Sequence, residues 1–228
     1  MTALAPPTGA GQLTAIVSQP SASPEPLILP RGVRFPRPDE LPPGSEAEQA
    51  RIRQAEITTG YRVLPNTGGA YTAYIEANVH ALNLWAVFHD LALTVLPRAV
   101  APIIAIKNGE TCTGPRTIRA AALRVFEPHA QTLQHDGLLA FGLIYQDQAV
   151  TEQIFVPPAK YLQIWTNQPE VARAILARHR IPEVPDLQLL DQLPLVHEPF
   201  EGPDGTAAWP AVLAEARAAF TTLPSPDR

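Results

Sequence analysis

The chain has 228 residues, enough for one sizeable core or a core plus an arm, but not for two large domains. With 46% hydrophobic and 17% charged residues it is a folding sequence rather than a solvated coil. Lys and Arg number 17 against 22 Asp and Glu, and the resulting formal charge of -5 is the wrong sign for a protein that neutralises phosphates, so nucleic acid is not the expected partner.

Proline sets the first boundary. Pro6, Pro7, Pro20, Pro24, Pro26, Pro30, Pro36, Pro38, Pro42 and Pro43 all precede residue 44, in a stretch without a sustained period of 2 or 3.6. Residues 1–44 therefore read as an extended, polyproline-like arm and 45–228 as a single domain. Within the arm, Leu27-Ile28-Leu29 and Val33-Arg34-Phe35 are apolar enough to dock on a body. The run Leu13 to Val17 is too short for a signal core or a membrane span, and a single cysteine, Cys112, excludes an intrachain disulfide. A cytoplasmic protein without membrane contact is the expectation.

From Ser45 the pattern turns regular. Ser45 with Glu48 forms a capping-box signature for a polar helix to about Ile57. Tyr61 to Leu64 and Tyr71 to Glu76, separated by Pro65-Asn66-Thr67-Gly68-Gly69, predict a hairpin. Asn78 is placed to cap a helix to about Leu96 that is apolar nearly all round and so expected to be largely buried. Pro102 to Lys107 reads as a strand closed by Asn108-Gly109. Arg116 to His135 has helical spacing broken by Pro128, which predicts a kink or two helices in tandem. Three β-rich runs follow between Leu138 and Thr166, and their short links force an antiparallel meander. A helix from Asn167 to Arg180 and a last one from about Ala211 to Phe220 complete the order. The expected class is α+β: an antiparallel sheet with helices packed mainly on one face, plus the arm.

Catalytic constellations are sparse. Ser18, Ser21, Ser23, Ser45 and Ser225 lie in the arm, at a cap or in the tail, without a nucleophile elbow, and no phosphate-cradling loop is present. Cys112 precedes a helix start but has no base nearby in sequence. His80 and His89 are nine residues apart, about 900° of helical rotation, and so sit on opposite faces of a straight helix. His129 and His135 are six apart and also poorly aligned. No metal and no cofactor is expected.

The candidate contact residues are Tyr145, Tyr161 and Trp165 with Lys160 beside them: Tyr161 and Trp165 share one strand face, and aromatics of this kind anchor interfaces when open to solvent. The reading is a non-catalytic protein that binds another protein, as an adaptor, an inhibitor or an immunity-type partner. The alternatives are a small-molecule-binding module, or a hydrolase or metal-assisted enzyme using Glu76, His80 and Asp90. Oligomeric state is left open.

Overall fold

A computed structural model describes residues 23–226; the start of the arm, with Pro6, Pro7, Pro20 and the Leu13 to Val17 run, lies outside the described residues. In chain order the first half contains β1 (Val33–Arg34), α1 (Glu46–Gln54), β2 (Gly60–Pro65), β3 (Ala73–Asn78), α2 (Leu84–Val95), β4 (Ala99–Ile106), β5 (Thr111–Thr113) and β6 (Thr117–Ile118). The second half adds α3 (Arg119–Phe126), α4 (Ala130–His135), β7 (Leu139–Gln146), β8 (Thr151–Val156), β9 (Leu162–Thr166), α5 (Pro169–Arg178), β10 (Val196–His197) and α6 (Trp209–Phe220).

β7, β8 and β9 form the predicted meander, and the whole sheet is antiparallel in the order β2-β3-β9-β8-β7-β4-β5, with β6 beside β4. The class is α+β. Pro102 is tolerated inside β4 because its side without an N–H faces the gap between β6 and β5, where Gly114 N–H donates to Pro102 O at 2.8 Å. Pro128 breaks the helical stretch into α3 and α4, joined by a 3-10 turn, as its missing donor requires.

Three local expectations are corrected. Ser45 starts α1, but its side chain makes no capping bond. Asn78 is the last residue of β3 rather than a helix cap. It is fully buried, and its Nδ2 donates to Thr58 O and Gln188 O, a tertiary use that sequence spacing does not reveal. The helix therefore starts later, at Leu84, and it is not buried all round: Leu82, just before it, is 71% exposed and Leu93 40%.

Alternation divides the sheet into two unlike faces. On the first, Ile75, Ala77, Ile104, Phe141, Leu143, Ile154, Val156, Leu162 and Ile164 are buried against α2, α3, α5 and α6 in the main core. Its centre is aromatic: Phe88 meets Phe141 edge-on at 4.9 Å, Phe126 meets Phe141 at 5.9 Å and Phe220 at 6.1 Å. Replacing Phe88 by Ala is expected to lower stability by about 3–5 kcal/mol, whereas Leu93→Ala, on the exposed side of the same helix, should stay within about 0.5 kcal/mol. Chemical denaturation of both variants checks this.

The described part of the arm is docked. Leu27 N–H donates to Ile57 O at 2.9 Å, Thr59 N–H to Glu25 O at 2.7 Å and Ala81 N–H to Ile28 O at 3.1 Å. Further along, β1 pairs with β10, Gly32 N–H donates to His135 O, and Glu198 N–H donates to Gly32 O. The approach is too close for a side chain: a Cβ on Gly137 would lie 1.9 Å from Gly32 O. Arg34 forks between Glu40 and Glu198 and draws the Glu40 carboxyl down to about 2.

Two arm N–H groups are also accepted by imidazole nitrogens. Ile28 N–H donates to His80 Nδ1 at 3.0 Å, and Arg31 N–H to His135 Nδ1 at 3.4 Å. Burial, then the charges of Arg31 and Lys160, hold the His135 pKa below its usual 6.5, while Phe200 stacks on the ring. At the other imidazole, Glu25 stands 3.5 Å from His80 Nε2. The His135 contribution is present above pH 6.5 and is lost as pH falls through the depressed native value, because the protonated ring no longer accepts. The protection factors of the Arg31 and Gly32 amides, exchange rates corrected for the intrinsic pH dependence, should fall on acidification in the native protein, and this step should be absent in His135→Gln.

Candidate functional site

The second face of the sheet is read from its register. One row crosses six strands, Leu64, Tyr74, Trp165, Gln153, Ile144 and Ala101, each opposite the next. The neighbouring row is Arg62, Glu76, Gln163, Phe155, Gly142 and Ile103. At about 4.8 Å per strand spacing, each row is about 24 Å wide.

The loop between α5 and β10 covers only one end of this face. There Ala159, Tyr161, Leu187 and Leu189 form a small second core, with Val184 and Leu195 against it. Among the described residues Tyr74, Trp165, Phe155, Ile144 and Ile103 join neither core, and they are half-buried on an uncovered surface. Trp165 and Tyr74 pack ring to ring at 4.8 Å, and Phe155 lies over Gly142, where a Cβ would come within 2.8 Å of its ring.

A polar network borders the apolar surface. Glu76, 7% exposed, accepts from Arg62 Nε at 2.8 Å and from Tyr74 OH at 3.0 Å, so both carboxylate oxygens are engaged. Tyr161 OH donates to Asp191 at 2.7 Å and accepts from Gln163 Nε2 at 2.7 Å. Burial, with the neighbouring carboxylates, pushes both phenols well above their ordinary value: desolvation leads for Tyr74, with Glu76 next, and for Tyr161, with Asp191 next. These hydroxyls are fixed donors rather than proton-transfer groups near neutral pH.

The four candidate contact residues fall in three places. Trp165 lies on the open face. Tyr161 shares that face but is buried beneath the loop. Tyr145 is separated from β9 by β8 and points to the opposite side, because it pairs with Glu152 while Trp165 pairs with Gln153, one residue on. At the sheet margin Arg116 stacks over Tyr145 at 4.6 Å, and Tyr145 OH donates to Asp147.

Lys160 is not beside these aromatics at the surface. It is 1% exposed, and its Nζ donates to Leu133 O at 2.8 Å and Leu139 O at 2.6 Å, 5.7 Å from the Phe141 centroid. Burial pulls its pKa down to about 7, with Asp136 opposing the shift. Since the native value is depressed, stability from this group rises with pH from about 7 up to the unfolded value of 10.5, at a slope of at most about 1.4 kcal/mol per pH unit. Lys160→Met is expected to flatten that rise and, by orphaning two carbonyls, to lower stability at alkaline pH by about 1–3 kcal/mol. Denaturant titrations across this pH window read both effects.

Glu76, His80 and Asp90 do not converge. Glu76 lies on the open face; α2, which carries Asp90, packs on the other, so the sheet stands between them. Asp90 Oδ2 accepts from His179 Nε2 at 2.8 Å and from Arg178 at 3.1 Å, and those partners hold its carboxyl below its usual range. His129 stands by Glu215, His89 by Trp85, and Cys112 on β5. Among the described residues no three His, Cys, Asp or Glu side chains form a metal-ligating group, and no helix is long and apolar enough to cross a membrane.

Sequence reasoning missed Tyr74, Arg62, Phe155 and Ile144. The available signal was parity: Tyr74 and Glu76 alternate with Ala73 and Ile75, which marks them as one face, but only pairing to β9 joins that face to Trp165. Set against protein-family models, curated proteins and solved structures, the chain matches none.

Proposed function

We propose that the protein is a non-catalytic binding protein, an adaptor, inhibitor or immunity-type partner, that recognises another protein through the open half of its sheet. The observation that supports this reading is the in-register surface of Tyr74, Trp165, Phe155, Ile144 and Ile103, which is apolar yet packed into neither core. Flat aromatic and aliphatic surfaces bordered by satisfied polar groups suit protein interfaces: aromatic rings bury much area at low entropy, and the polar border excludes water. The Arg62–Glu76 pair and the Tyr161–Asp191 bond hold that border rigid, so little ordering is left to be done on association.

A photo-crosslinking residue at Gln153, in the middle of the first row, tests the reading in the native cell. One discrete adduct with another protein is expected. With that partner purified, Trp165→Ala should weaken affinity by at least about 30-fold, equivalent to about 2 kcal/mol, at unchanged thermal stability. An affinity unmoved by both Trp165→Ala and Ile144→Asp would remove this face from the function.

A further inference from the structure

A second surface carries an unspent charge. α5 ends in a Schellman motif: Ile181 N–H donates to Leu176 O and Arg180 N–H to Ala177 O, both at 2.9 Å, with buried Ile181 and Leu176 at its apolar ends. Arg180 occupies the left-handed position, with φ 59°. Glycine is favoured there because a Cβ crowds the backbone of other residues. An exposed arginine takes the position instead. Among the described residues its guanidinium has no hydrogen bond or ion pair.

Arg180 lines a cleft of about 230 Å³ with Glu25, Thr59, His80, Asn83 and His179. The arm fixes the tautomer of His80: Nδ1 accepts from Ile28 N–H, so the proton of the neutral ring sits on Nε2. His179 is held by Asp90, whose charge Arg178 also meets. Glu25 is the one carboxylate on the lining. It stands 3.5 Å from His80 Nε2, is 74% exposed, and belongs to the arm.

We propose that this cleft binds the oxyanion group, phosphate or carboxylate, of a small molecule between the Arg180 guanidinium and the His80 Nε2–H, with Glu25 competing for the same donor. An arginine with an unpaired guanidinium on strained backbone, sharing a cleft with a preset imidazole donor, is the feature that a purely structural helix end does not need. The site is separate from the open sheet face, so either can fail without the other.

The test is an amide and imidazole NMR titration of the full chain with inorganic phosphate and, separately, with acetate. Saturable shifts at His80, Asn83 and Arg180 in the millimolar range or tighter are expected with at least one anion. Saturation by phosphate alone assigns a phosphoryl ligand, by acetate alone a carboxylate, and by both a general oxyanion site. Arg180→Gly should weaken binding by at least about tenfold while thermal stability holds or rises, because glycine suits the left-handed position. Glu25→Gln should tighten it. Shifts that never saturate with either anion, or equal affinity in Arg180→Gly, overturn the proposal.

Discussion

Phe141, at the centre of β7, is the contact on which the fold converges. Its ring meets Phe88 of α2 at 4.9 Å, Phe126 of α3 at 5.9 Å and Trp85 at 6.3 Å, and Lys160 Nζ approaches to 5.7 Å. One aromatic side chain thus fixes two helices against the sheet. Lys160 adds a third tie by bonding carbonyls of Leu133 on α4 and Leu139 on β7. Dispersion and apolar burial dominate this region, and the buried amine is tolerated because its donors reach carbonyls that would otherwise lack partners.

The docked arm depends on that centre. Its β1 segment runs past the end of α4, where His135, Gly137 and Lys160 are held, and it closes a backbone braid among Gly32, Gly137 and Glu198. Prolines lower the entropy lost when such a segment is ordered. The specific hold comes from backbone pairing, two imidazole acceptors and the Arg34 fork. The apolar anchors divide unequally: Val33 is buried, while Ile28 remains exposed.

With every strand paired antiparallel, each residue's face is set by parity across the whole sheet. The helices claim one parity, and the α5–β10 loop claims only part of the other. Among the described residues, part of the second face is left as a surface whose aromatic residues serve neither core, and this imbalance motivates the recognition reading more than any single residue does. The cleft at the end of α5 differs in kind, being lined by arm and helix-end residues of mixed polarity, Arg180 among them, whose guanidinium has no ion pair among the described residues.

Local chemistry was enough for the sequence by itself to determine the α+β class, the three-stranded meander, the break at Pro128 and the shared face of Tyr161 and Trp165. Period 2 sets a strand's faces, short links impose antiparallel pairing, and proline lacks a donor. Tertiary structure alone decided that β3 pairs with β9, which brings Tyr74 onto Trp165, and it set the registers of β7 on β8 and of β8 on β9, which put Tyr145 and Trp165 on opposite faces. It also decided that Asn78 ends a strand, that Lys160 lies in the core, and that Glu76 and Asp90 stand on opposite sides of the sheet. The reason is that strand partnership and long-range register are chosen by burial of the whole apolar face at once, so no window of sequence carries the parity that relates residues on distant strands.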